Sequence, residues 1–222
     1  MRTRLSLPLL AAITLTLSAC AGKTVPPERY SGFLHNYSLL KEKELPSGQT
    51  VLTWVSPTLD IDHYTRVYIE PSLFYPQILP TERGPESTLL GVTHYYDAAL
   101  KNELGKVMTL APAPGPDTLI IRPAITSVGA STQGLHFYEW LPVTLLAAGV
   151  STATGIRDQD SEISTEVAVL DSATHEVLAQ VVRKGTGRVL ENDRQVMTVD
   201  DFKPVLDGWA IDLRQAYEVS GQ

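Results

Sequence analysis

Hydrophobic and polar residues alternate along five short stretches of the chain and recur at helical spacing along two longer ones. Residues 50–55, TVLTWV, are rich in strand formers. In residues 66–70, Val67 and Ile69 fall on one face of a strand and Arg66, Tyr68 and Glu70 on the other, with Pro71 to end it. The prolines and glycine of residues 73–85 predict a loop. Then the period changes. Leu89, Thr93, Tyr96, Leu100, Leu104 and Val107 lie three or four apart, which makes one stripe of a helix over 86–107, with Asp97, Lys101 and Glu103 away from it. Residues 111–116, APAPGP, break the chain. A strand follows over 117–128, with Leu119, Ile121 and Ile125 opposite Arg122 and Thr126. Pro123 removes one ladder donor, so the strand is expected at a sheet edge or bulged there. Residues 162–171 set Ile163, Val167 and Val169 against Ser164 and Glu166. The turn DSATHE and a strand over 177–182 complete a hairpin. Phe202, Leu206, Trp209, Leu213 and Tyr217 stripe a final helix. Pro204 belongs in its first turn, which makes Asp200 or Asp201 the expected N-cap. This order predicts an α+β fold, a mixed or antiparallel sheet with two main helices packed on it, as a single domain.

The N-terminus follows another pattern. Arg2 and Arg4 precede an almost wholly apolar run, residues 5–17, which ends in Leu17-Ser18-Ala19-Cys20. A positive start, an apolar centre and small residues at the end make a secretory signal. The run is shorter than the roughly 20 residues needed to span a bilayer core. Its last four residues resemble the bacterial lipobox. That resemblance implies cleavage between Ala19 and Cys20, diacylation of the Cys20 thiol and acylation of the new amine. Two or more chains anchor a protein stably where one does so only marginally. Ala21 stands where an inner-membrane lipoprotein of the enterobacterial type carries Asp, which directs the expectation to the outer membrane, with the domain in the periplasm. The expected division is a signal over 1–19, a lipidated tether over 20–29 and the domain over 30–222.

Composition narrows the partners. Cys20 is the single cysteine, so no intrachain disulfide forms and the core alone holds the domain. Losing Arg2 and Arg4 takes the net charge from -7 to about -9, and no basic cluster tracks phosphates, so nucleic acid is not an expected partner.

Several spaced motifs carry a wider resemblance. Tyr30-Ser31-Gly32-Phe33-Leu34, Tyr37-Ser38, Leu40, Trp54, Pro57 and YTRVYIEP over 64–71 resemble the bacterial lipoproteins grouped as domain of unknown function 3313, over most of the mature chain. The resemblance implies an envelope lipoprotein and brings no activity or catalytic residues. The order strand–helix–strand–hairpin also resembles, at the level of fold, the curli-secretion pore subunit and the penicillin-binding-protein activators.

Residues 134–156, GLHFYEWLPVTLLAAGVSTATGI, interrupt this plan. The densest apolar part, 140–150, is too short to span a membrane and contains Pro142. Two readings stand: a buried segment completing the core, or an exposed apolar one in which Trp140, Leu141, Leu145, Leu146 and Val150 meet a membrane or another subunit.

Catalytic and metal signatures are missing. Ser38-Leu39-Leu40-Lys41 matches S-x-x-K and Lys184-Gly185-Thr186-Gly187 brushes against K-T-G, but Ser-Asp-Asn does not occur. No nucleophile elbow, P-loop or G-x-G-x-x-G occurs, and His35, His63, His94, His136 and His175 share no metal-ligand spacing. Asp60 and Asp62 beside His63 suit a cation, though an acidic turn before a strand is the commoner arrangement. The expectation is therefore a non-enzymatic envelope protein without cofactor or metal, held to the membrane by its acyl chains and facing a protein partner or a homo-oligomer. The alternatives are an accessory that shelters a lipid or other apolar ligand between sheet and helices, and an enzyme without a familiar motif.

Overall fold

The computed structural model describes residues 24–132, 159–192 and 194–221. Ten elements build the domain: β1 (Lys41–Glu44), β2 (Thr50–Val55), β3 (Arg66–Ile69), β4 (Leu73–Phe74), α1 (Glu86–Leu104), β5 (Thr109–Leu110), β6 (Thr118–Thr132), β7 (Gln159–Asp171), β8 (Val177–Leu190) and α2 (Lys203–Ser220). The strands form one mixed sheet in the order β1-β2-β8-β7-β6-β3-β5, with β4 also on β6. From β1 to β6 neighbours are antiparallel; β3 and β4 run parallel to β6, and β5 parallel to β3. The result is the expected single α+β domain.

Both helices pack on one face. Val67, Ile69, Leu119, Ile121, Ile125, Ile163 and Val167 of the sheet meet Leu89, Val92, Tyr96 and Leu100 of α1 and Leu206, Trp209 and Ala210 of α2, with Phe202 at the junction. Full burial of each large apolar side chain contributes about 1.5–3 kcal/mol, so this layer dominates stability. Tyr96 and Trp209 meet edge to face, their centroids 6.4 Å apart. The expected α1 stripe is present, but Glu103 is buried and not solvated. Its carboxylate accepts from Arg214 at 3.0 Å and from Lys106, and the hydrogen bond from Lys106 is the main reason its pKa lies below the ordinary carboxylate value.

The outermost strand β1, Lys-Glu-Lys-Glu, is exposed throughout and lacks the apolar alternation that marks a strand. Alternating charge suits an edge, since it discourages another strand from pairing there. β8 continues well past the predicted end at Val182, and Gly185 and Gly187 in it let α2 and the turn before it approach. A Cβ on Gly185 would stand 2.2 Å from Val205 Cγ2, and one on Gly187 2.1 Å from the Asp201 carbonyl oxygen.

Two further expectations are corrected. Pro123 lies in an interior strand, and the register shift comes later, between Ile125 and Ser127. The proline is accommodated because β6 changes neighbour beside it: Glu70 donates to the Ile121 carbonyl and Tyr75 to the Ile125 carbonyl. By the two-residue alternation of a strand, the missing Pro123 donor points into the gap between β3 and β4. Helix α2 begins after Phe202 without a side-chain cap. Asp201 instead closes the preceding turn, Val199–Asp201, accepting from the Thr198 amide at 2.7 Å and its hydroxyl at 3.0 Å, while Asp200 pairs with Lys203.

Candidate functional site: the N-terminal strap

The second face of the sheet is covered by chain. Residues 24–40, of which 24–29 fall within the expected tether, lie across Leu52, Ile120, Ala168, Leu170 and Val182. Val25 and Leu34 are buried against these strands, with Tyr30, Phe33, Tyr37 and Leu40 packed around them. Thr24 already donates to Glu42 of β1 at 3.0 Å.

One carboxylate pins this strap. Glu166 of β7 is fully buried on the strap side and accepts from the Ser31 amide at 3.0 Å, the Ser31 hydroxyl at 2.8 Å and the Tyr37 hydroxyl at 2.6 Å. The Tyr37 oxygen in turn accepts from the amides of Gly32 at 2.8 Å and Leu34 at 3.1 Å. Gly32 has φ 86°, a left-handed conformation that glycine adopts without strain, and this brings both amides onto one oxygen. Tyr30 stacks on Tyr37 at 4.4 Å between centroids. Burial, together with the bond to Glu166, pushes the Tyr37 phenol above its ordinary value, so it stays a donor at physiological pH. Three donors thus match the buried carboxylate.

Alternation along β7 had assigned Glu166 to a polar face. The strap covers that face, which Ala168 and Leu170 of β7 also occupy.

No other described sequence candidate joins the hydrogen bonds on Glu166. Cys20, Ala19, Trp140, Leu141, Leu145, Leu146 and Val150 lie outside the described residues. Ser38 donates its amide and hydroxyl to Asn36, and Lys41 opens the exposed strand β1, so S-x-x-K is turn chemistry followed by an edge. Lys184 faces Glu162 at 3.5 Å, and the glycines of Lys-Gly-Thr-Gly serve helix packing. His63 lies 3.7 Å from Asp117 across an exposed turn, and His94 is exposed on α1. Among the described residues no group of three or more His, Cys, Asp or Glu side chains is placed to hold a metal. No helix among them is long and apolar enough to cross a membrane. Between sheet and helices the space is filled by Tyr96, Leu100, Phe202, Leu206 and Trp209, all nearly or fully buried.

Comparison with known proteins places these features in a family. Residues 29–213 match the model described as Protein of unknown function (DUF3313). The chain is 38% identical over 198 residues to the uncharacterized lipoprotein YdcL of Escherichia coli K12, covering 89% of each, and equally to YdcL of Escherichia coli O157:H7. Among solved structures it is similar to a Xanthomonas campestris protein of the DUF330 model, at TM-score 0.43 and 13% identity over 76% of this chain and 91% of that one. It is similar also to the PelC dodecamer of Paraburkholderia phytofirmans, at TM-score 0.39 and 10% identity over 74% and 96%. The strap motif lies inside the matched region, as do α1, most of α2's packing residues and the whole sheet, and the chain belongs to the DUF3313 family.

Proposed function

We propose that the chain is an outer-membrane lipoprotein, acylated at Cys20 after cleavage behind Ala19, whose strapped domain is presented in the periplasm to a protein partner or to copies of itself. The strap is the observation that carries this reading. Ser31 and Tyr37 fix the strap to Glu166 in the middle of the sheet, so a pull on the N-terminus is borne by the whole domain. The lipoprotein relative, similar over 89% of the chain, supports the anchor. No catalytic role is part of the proposal. The filled interface between sheet and helices gives the ligand-sheltering alternative no support there. Membrane fractionation of Cys20→Ala tests the anchor: it leaves the membrane fraction while the natural protein stays. A Cys20→Ala protein that remains with the outer membrane through lipid of its own overturns the reading.

A further inference from the structure

From the place of Thr24 on the sheet, we infer that the β1 edge rests on the bilayer surface and docks on lipid headgroups. This rests on the acylation of Cys20 proposed above. Four residue steps separate Cys20 from Thr24, and a fully extended chain spans at most about 14 Å over four steps. Thr24 is hydrogen-bonded to Glu42 of β1, and Val25 is buried. The acyl chains on Cys20 therefore lie within one short span of Thr24, which is bonded to β1, with Leu39 just before that strand. An anchor this short does not let the domain float free; it holds one edge against the headgroups.

The chemistry of that edge fits the position. Lys41, Glu42, Lys43 and Glu44 are all exposed and sum to no net charge, and Leu39 is 37% exposed beside them. Lysine ammonium groups suit headgroup phosphates while their stems cover apolar surface, and the glutamates suit headgroup amines. The opposite edge, β5, is six interstrand steps away, about 29 Å along the sheet at roughly 4.8 Å per step. It faces away from the membrane, and with it any partner-binding surface at that end.

The test uses the natively acylated full chain in phosphatidylethanolamine–phosphatidylglycerol vesicles. Cys20 is the single cysteine and its thiol is blocked by lipid, so Lys43→Cys and Thr109→Cys each accept one fluorophore. Vesicles carrying a nitroxide on the headgroup are expected to quench the label at 43 severalfold more than the label at 109. A Gly/Ser spacer inserted after Lys23 is expected to keep the protein on the vesicles but abolish most of that quenching. Flotation of the same samples separates the two claims: protein that fails to float overturns the anchor. Floating protein with equal quenching at 43 and 109, or with quenching the spacer leaves unchanged, overturns the docking while the anchor stands. Self-quenching at 43 that grows with protein density and ignores the nitroxide means that a second copy covers the edge, which also overturns it.

Discussion

Tyr37 and Glu166, 129 residues apart in the chain, meet at 2.6 Å and hold the N-terminal strap on the sheet. Tyr37→Phe removes the donor to Glu166 and the acceptor for Gly32 and Leu34 together. A loss of about 1–3 kcal/mol is expected, since buried polar groups are left unmatched. Glu166→Gln should cost a similar amount, because its amide NH2 confronts donors. The two changes share partners, so the double variant should lose less than their sum. Urea unfolding gives the stabilities, and protease sensitivity of residues 24–40 should rise before global unfolding. Additive losses would argue against a shared site.

Gly187→Ala places a methyl group on the Asp201 backbone, which has no rotamer to change. We expect a cost at the upper end of the overpacking range, about 3 kcal/mol, and a fall in Tm of roughly 2–4 °C per kcal/mol. Gly185→Ala, which meets the Val205 and Trp209 side chains, should also change Trp209 fluorescence. Unchanged melting of both variants is incompatible with the helix approach described.

Arg183 of β8 and Asp212 of α2 form a buried pair at 2.7 Å, their side chains 6% and 4% exposed. Removing either partner strands the other charge and should cost about 3–5 kcal/mol. Arg183→Met combined with Asp212→Leu should restore most of the loss. A double-mutant cycle by denaturant unfolding measures the coupling, and a double variant as weak as the single ones contradicts it.

Stability should fall at both pH extremes through the hydrogen bonds gathered on Asp171 and the burial of Tyr64. The Tyr64 hydroxyl donates to Asp171 at 2.8 Å at the β7–β8 turn. Asp171 is held down to about 2, chiefly by the Thr174 amide, with Tyr64 adding to it. Its contribution is complete above the ordinary value of 3.8 and drains as pH falls toward about 2. Tyr64 is pushed up to about 12, first by burial and then by Asp171, so its contribution is complete below 10 and is lost as pH climbs to about 12. Asp171→Asn should flatten the acid arm and lower the midpoint of phenolate formation at Tyr64. Unfolding followed across pH, with phenolate absorbance, checks both; an unchanged acid arm removes Asp171 from the account.

On the exposed reading of residues 134–156, replacing Leu145 and Leu146 with Glu leaves the domain folded and abolishes its contact with a partner or membrane. Circular dichroism and crosslinking in cells measure the two separately, and unfolding of the variant assigns the segment to the core.

What was legible in the sequence was whatever depends on near neighbours. The stripes of α1 and α2, the faces of β3 and the β7–β8 turn follow from spacing alone. Three buried acids were not legible. Glu103, Glu166 and Asp212 each occupy positions that periodicity gives to solvent, and each is buried because a partner arrives from far along the chain: Arg214, Ser31 with Tyr37, and Arg183. β1 was missed because an edge strand made of charges has no apolar period to find. The placing of Pro123 failed for a related reason. Its tolerance depends on a break between two neighbouring strands, which no property of β6 encodes.

The strap also sets an order of events. Ser31 and Tyr37 precede Glu166 in synthesis and in any transport that moves the chain N-terminus first. Their acceptor does not exist until 135 further residues have followed Ser31 and β7 has taken its place in the sheet. Closing so long a loop is costly until the rest of the structure has brought its ends together. The strap therefore emerges early and seats late, and its seating on Glu166 requires that β7 already stand in the sheet.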